Sequence, residues 1–445
     1  MHHPHRMKSG CYNPGFMAIG PFQLISQATP SQRRTLLAAS LGWALDAFDA
    51  MLYALVLALL MRDLGINKTT AGLLGTLTLF ASGIGGVLFG FLADRIGRKQ
   101  ALMASIVTYS VCSFASGLST SIAMLATARF VLGLGMGGEW NTGATLVAET
   151  WPTEFRAKAI SIVQSSWALG FAAAALVAGP VARYFGWRAV FFVGILPALL
   201  TLWIRRGVPE SALWQRRMSE AREDATGDPM SHGGKKEVGS ATTTFATIFR
   251  PPYVKHTFAL LLFNFCGLFA WWGLFTWLPP YLSLPVSQGG RGFGVIGTTT
   301  LLVVLNLFGM FPGYASFGWV ADLLGRRWAF LFYSLAAAFL IPFYAAARAP
   351  VVLMALGIVV AFFGTGIFSG SGIMGSEIFP TAVRARALGF TYNGTRTLSS
   401  IAPLVIGRVG QLKGLSWAFY LCAVAYLMAA VMATQLPETR GKRLE

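Results

Sequence analysis

The chain has 445 residues, of which 55% are hydrophobic and 12% charged, with a mean hydropathy of +0.60. A soluble domain carries roughly a quarter charged residues, and one this apolar would leave large uncovered patches. Four cysteines make no disulfide framework, and the net charge of +18 lies between apolar runs instead of in a basic stripe with interleaved aromatics, which excludes a nucleic-acid face.

What is left is an all-α membrane protein. In chain order, residues 1–34 are polar and irregular with no cleavable apolar segment; they read as a disordered cytoplasmic tail in which Met7 and Met17 offer alternative starts. Runs near 35–61, 70–93, 100–117, 121–147, 158–182 and 187–206 each suit a bilayer crossing of about 20 residues. A stretch rich in Ser, Thr, Gly and charge follows at 207–256 and reads as a cytoplasmic linker. Six further runs lie near 257–282, 294–320, 327–346, 350–376, 386–408 and 415–436, and 437–445 form a second short tail. The expected architecture is twelve transmembrane helices in two six-helix bundles, 35–206 and 257–436. With both termini cytoplasmic, 25 of the 35 Lys and Arg fall on that side and 8 on the other, which orients the chain.

The two halves repeat. Gly90-Phe91-Leu92-Ala93-Asp94-Arg95-Ile96-Gly97-Arg98-Lys99 follows the second span, and Gly318-Trp319-Val320-Ala321-Asp322-Leu323-Leu324-Gly325-Arg326-Arg327 follows the eighth, at an offset of 228 residues. At the same offset Glu149, Pro152 and Arg156 recur as Glu377, Pro380 and Arg384, and Pro209-Glu210 as Pro437-Glu438. Parallel repeats of this kind place a substrate site at mid-membrane between two rocking bundles.

The doubled Gly-x-x-x-Asp-x-x-Gly-Arg-Arg/Lys loop, over essentially the whole span region, resembles the major facilitator superfamily of transporters. The resemblance implies a cytoplasmic gate built from Asp94, Arg95, Arg98, Glu149 and Arg156, with Asp322, Arg326, Glu377 and Arg384 as its counterpart. Each Asp would pair with Arg and with a facing helix N-terminus, where a carboxylate gains up to about 2 kcal/mol. On the residues alone, the same charges could serve only to fix topology. Asp46-Ala47-Phe48-Asp49 resembles the Asp-Gly-Phe-Asp of proton-coupled organic-acid symporters, with Ala47 in place of Gly. The Gly-rich run from Arg129 to Trp140, with Glu149, Trp151 and Pro152 after it, resembles the sialate and monocarboxylate symporters, although the chain lacks the two extra central spans of some sialate carriers. Gly389-Phe390-Thr391-Tyr392-Asn393 points the same way. Pro437-Glu438-Thr439-Arg440-Gly441 is similar to a sugar-porter signature, but the seventh span has no Gln-rich run.

An ionisable group at mid-bilayer costs about 2.5–3.5 kcal/mol even on lenient scales. Five are kept there: Asp46, Asp49, Arg129, Glu139 and Arg396. At offset 228 they meet Leu274, Trp277, Gly357, Ile367 and Ala168, so none is echoed in the other half, which favours a task done once. Asp46 and Asp49 share a helix face at i,i+3. The resemblance implies that a carboxylate at Asp49 takes a proton and releases Arg129, with Asp46 nearer Glu139; a static brace is the alternative. Glu139 reads equally as a proton carrier or as an acceptor for local donors. Arg396 has no acid in its own half, and its planar fork suits an arriving carboxylate, against the alternative of a solvated spacer. Three acids and two arginines sum to −1 when ionised, so one proton and one monovalent anion arriving together leave that charge unchanged.

Gln164 and Ser165 map onto Tyr392 and Asn393 and are candidate substrate contacts, as are Asn264, Trp271, Trp272, Trp277 and Asn306. Gly133-x-Gly135-x-x-Gly138 lies mid-span with no preceding strand, so helix packing explains it better than dinucleotide binding. No Walker loop, catalytic triad or metal constellation is visible. The expectation is a transporter rather than an enzyme, without cofactor or metal, that carries a small organic anion with protons across the cell membrane, as a monomer in the lipid bilayer. The alternatives are a proton-coupled sugar or sugar-acid porter, an efflux antiporter, and a metabolite receptor that moves nothing. For the antiporter, Gly179-Pro180 is followed by Val181, Ala182, Arg183 and Tyr184, which breaks that group's span-five pattern.

Overall fold

Thr29 opens the first helix with a reciprocal cap: its hydroxyl accepts from the Gln32 amide at 3.3 Å, and the Gln32 side chain accepts from the Thr29 amide at 2.9 Å. Pro30 occupies the first turn, and Gly65, at φ 63°, ends the helix. The computed structural model describes residues 26, 28–212, 214–216, 218–219, 245–379 and 387–440. Residues 1–25 and 27 of the first tail, most of the expected linker, residues 380–386 and residues 441–445 therefore lie outside the described residues, while residues 30–34, expected to be irregular, form the first turn of the helix that Thr29 caps.

Every regular element described is helical. Before the linker come α1 (Pro30–Leu64), α2 (Lys68–Ile96), α3 (Arg98–Gly117), α4 (Ile122–Thr150), α5 (Thr153–Val193) and α6 (Ala198–Gly207). After it come α7 (Val254–Ser283), α8 (Val295–Leu305), α9 (Phe311–Leu324), α10 (Arg326–Ala346) and α11 (Pro350–Ile378), then α12 (Thr395–Ser399), α13 (Ala402–Lys413) and α14 (Leu415–Ala433). A π-helical turn, Asn306–Met310, joins α8 to α9, and another, Gly389–Gly394, leads into α12.

Among the described residues, nine helices are long and apolar enough to cross a membrane. The difference from twelve has physical causes. Lys158–Gly207 counts as one apolar helix but holds two of the expected spans, divided at Gly186, whose φ of 78° breaks the helix. The α3 segment carries Arg98 and a row of Ser, Thr and Tyr, which lowers its apolarity. The eleventh span is divided among the π turn, α12 and α13.

The repeat builds the same corner twice. Arg98 pairs with Asp94 at 2.5 Å and with Glu149 at 3.3 Å; Arg326 pairs with Asp322 and, at 3.5 Å, with Glu377. Glu210 accepts from the Arg98 and Lys99 amides, and Glu438 from the Arg326 and Arg327 amides, so each glutamate caps the start of a helix. The motif glycines make the approach possible: Gly97 and Gly325 have φ of 105° and 99°, and a Cβ at either would collide with its capping carboxylate. Gly97→Ala should destabilise the fold by about 1–3 kcal/mol, the cost of a side chain in such a backbone region. A lowered thermal midpoint of the purified protein checks this, and an unchanged midpoint contradicts it.

At the end where α1 turns into α2, the helices before the linker meet those after it closely. Gly72 lies against the Pro403 carbonyl, Gly75 against the Pro403 ring, and Gly407 against the Lys68 carbonyl. Small residues at such crossings let backbones touch.

Candidate functional site

Three helices before the linker and two after it bring aromatic rings to one point. Trp43 of α1 packs on Trp140 of α4 at 4.5 Å and on Trp167 of α5 at 4.7 Å between centroids. Trp167 meets Trp271 and Trp272 of α7 edge-on at 5.8 and 6.0 Å, and Trp271 meets Phe368 of α11 at 6.4 Å. The rings enclose a cavity of about 30 Å³ lined also by Gln164, Tyr314, Tyr392 and Arg396. That is space for about one water molecule.

Arg396 is the charged group in this wall. It is 6% exposed, its guanidinium carbon lies 5.8 Å from the Trp43 ring centroid, and its Nη2 has no hydrogen-bond partner among the described residues. The π turn of Gly389–Gly394 widens the helix just before it, so that Tyr392 and Arg396 line the same cavity. Asn264 of α7 steadies this turn by donating to the Thr391 carbonyl at 2.9 Å, and it accepts from Ser371 of α11 at 2.8 Å.

Asp46 and Glu139 form the acidic side. Both are buried, and each lies within electrostatic reach of the other and of Arg396. Gly42, one turn before Asp46 on α1, leaves the space that the Glu139 carboxylate fills. Neither Asp46 oxygen has a hydrogen-bond partner, nor has Glu139 Oε2.

Asp49 behaves differently. Its Oδ1 accepts from Ser113 of α3 at 2.9 Å, and that pair packs on Gly194, within the helices before the linker. The expected ion pair with Arg129 is not made as a direct contact, although the two groups lie within electrostatic reach; among the described residues, Arg129 Nε and Nη2 have no hydrogen-bond partner. Arg129 instead sits over Phe191 at 4.3 Å and Tyr53 at 5.1 Å, beside a second cavity of about 30 Å³.

A sequence model of the Major Facilitator Superfamily matches residues 39–311 and 290–444. The chain belongs to the major facilitator superfamily. It is a multi-pass membrane transporter and not an enzyme. It is 33% identical to the sialic acid transporter NanX of Escherichia coli (strain K12), over 90% of this chain and 93% of that one. It is also 33% identical to a probable 4-methylmuconolactone transporter of Cupriavidus pinatubonensis, over 95% of each. A putative niacin/nicotinamide transporter, NiaP of Bacillus subtilis (strain 168), is 29% identical over 93% of this chain and 98% of that one. The solved D-xylose-proton symporter shares the fold with a TM-score of 0.70 at 20% identity, covering 92% of this chain and 99% of that one.

The transporter's expected site residues divide accordingly. Gln164, Tyr392, Arg396 and Trp272 line the central cavity, Gln164 and Tyr392 from equivalent repeat positions, and Trp272 also lines the cavity beside Arg129. Asn306 does not line it: its side-chain amide bonds back to the Leu302 carbonyl at 2.8 Å, where the π turn begins. The side chain of Asn393, and all of Pro380 and Arg384, lie outside the described residues. Of the expected gate, Asp94, Arg98 and Glu149 join within one half and Asp322, Arg326 and Glu377 within the other. Arg95 and Arg156 make no ion pair among the described residues.

Sequence reasoning did not single out Trp43, Trp167, Tyr314 or Phe368. Their signal was position: Trp concentrates at membrane interfaces, and Trp43 and Trp167 lie inside their spans, where a packing or binding task must hold them.

Proposed function

We propose that the protein carries a small organic anion together with protons by alternating access. It does so as a monomer in the cell membrane, through twelve spans in two six-helix bundles with both termini cytoplasmic. One observation carries the reading: a buried arginine, Arg396, has an unpartnered Nη2 in an aromatic cavity drawn from both halves. A buried guanidinium donor without an acceptor is costly, and a visiting carboxylate supplies one. Relatives named for sialic acid and niacin, both carboxylic acids, support an acidic cargo.

Asp46 and Glu139 are the proton carriers in this reading. With Arg396 they sum to −1 when ionised, and an incoming anion makes that −2. A proton on either carboxylate restores the balance without leaving charge in a low dielectric. Asp49, bonded to Ser113, braces α1 against α3.

The cavity wall favours a flat cargo. Its polar groups are Gln164, Tyr314, Tyr392 and Arg396 together with the indole N–H groups, and the rest is ring face apart from Leu268. In proteoliposomes, labelled benzoate should exchange by counterflow, which a receptor cannot do. Benzoate should also bind about tenfold tighter than cyclohexanecarboxylate, the gain from stacking on two sides. Calorimetry on purified protein measures this. Equal affinities, or a preference for sialate, contradict the flat cargo, and absence of exchange for every acid contradicts transport.

A further inference from the structure

A cavity much larger than the aromatic one lies between the two sets of helices. About 730 Å³ of space opens between the end of α1, the stretch of α5 before Gly186 and the α7–α8 connection, and it shares no lining residue with the Arg396 cavity. That volume fits a small organic acid. Its wall is mainly apolar, with Leu59, Phe293 and Val295 prominent, and it carries Arg62 and Lys68 but no acidic residue. Arg62 is turned to Asp63 at 3.0 Å and is largely exposed.

Lys68 is half-buried and bonded entirely across the two halves. Its ammonium donates to the Gln288 carbonyl at 2.9 Å and to the Gly410 carbonyl at 3.4 Å. Its amide, one of the free donors at the start of α2, donates to Gln411 Oε1 at 3.1 Å. Gly410 lies in the last turn of α13, at the negative end of that helix. Lys68, held by neutral oxygens, is thus the charged member of the contacts that close this end of the molecule, beside the Leu404 amide on Thr76 Oγ1 at 3.2 Å and the close packing at Gly72, Gly75 and Gly407. A carboxylate adds the attraction of opposite charges to the hydrogen bond an ammonium makes, so an anion in the cavity can draw Lys68 away from neutral carbonyls.

We infer that this cavity is an entry site for small carboxylates, where the arriving anion takes the Lys68 ammonium from Gln288 and Gly410 and so unlocks α2 from α13. The inference rests on the reading of the cargo as an organic anion. Under the proposed orientation, this is the outer face.

Thr276 reports the opening: it is buried, beyond Pro403, in the wall of the cavity beside Arg129. Thr276→Cys is made in a chain whose Cys11, Cys112, Cys266 and Cys422 are replaced by Ser, in vesicles of known orientation. Labelling by an impermeant maleimide from the outer side is timed with and without benzoate. Benzoate should speed labelling severalfold while Lys68 is present. Lys68→Gln should label quickly without benzoate and gain nothing from it, whereas Lys68→Arg should keep the response. Arg396→Gln should also keep it, because the trigger lies in the outer cavity. A rate indifferent to benzoate, an equal response in Lys68→Gln, or a response lost with Arg396→Gln overturns the inference. Failure of the transport reading shows separately, as absence of counterflow for every carboxylate. Should the cysteine-free chain not fold, hydrogen exchange of the α2 and α13 amides in the otherwise unaltered protein, with and without benzoate, makes the same comparison.

Discussion

Replacing Arg396 by Gln should lower the affinity for benzoate about a hundredfold, since truncating one partner of a buried, hydrogen-bonded charge pair costs roughly 2–5 kcal/mol. Arg396→Lys should lose less, about tenfold: the charge remains, but the planar fork that meets both carboxylate oxygens does not. Folding should be little affected, because among the described residues the guanidinium holds no salt bridge and its ring contact is with Trp43. Calorimetric titration of wild type and both variants, alongside their melting curves, checks the pair of expectations. Equal affinities in folded variants would remove Arg396 from the site.

The second large effect concerns coupling. A pH difference of one unit supplies about 1.4 kcal/mol per proton, which supports at most about tenfold accumulation of an anion carried with one extra proton. Asp46→Asn should abolish this accumulation in proteoliposomes while leaving exchange of labelled benzoate intact, because exchange needs the Arg396 cavity but no proton. Glu139→Gln should behave similarly, since the two carboxylates lie within reach of one another and of Arg396. Asp49→Asn should leave accumulation standing and loosen the fold through loss of the Ser113 bond. Accumulation that survives Asp46→Asn but fails with Asp49→Asn would return the coupling role to Asp49.

Much of the scaffold is written in local pattern. The offset-228 repeat named Asp94, Arg98 and Glu149 with their counterparts Asp322, Arg326 and Glu377, and those side chains form two matching corners. Most apolar runs lie within a few residues of a helix, because bilayer thickness sets their length, but the fifth, sixth and eleventh do not match single helices. The site was less legible where it depends on direction around a helix. Asp46 and Asp49 are three residues apart and so about 60° apart on the helix. That rotation is enough to send Asp46 toward Glu139 and Asp49 toward Ser113. Asn306 was drawn into the backbone at a π turn, which no hydrophobic period announces. The aromatic cavity joins residues as distant in sequence as Trp43 and Phe368, and only packing brings them together.

Both large predictions depend on anion binding at Arg396 drawing a proton onto the Asp46 and Glu139 pair. Proton uptake on binding measures that link directly: benzoate is added to purified protein in weakly buffered solution, and the change in pH is recorded. The account predicts net uptake of protons with wild type, affinity that rises as pH falls, and no uptake with the Asp46→Asn, Glu139→Gln double variant. Tight binding with no proton taken up at any pH would contradict it.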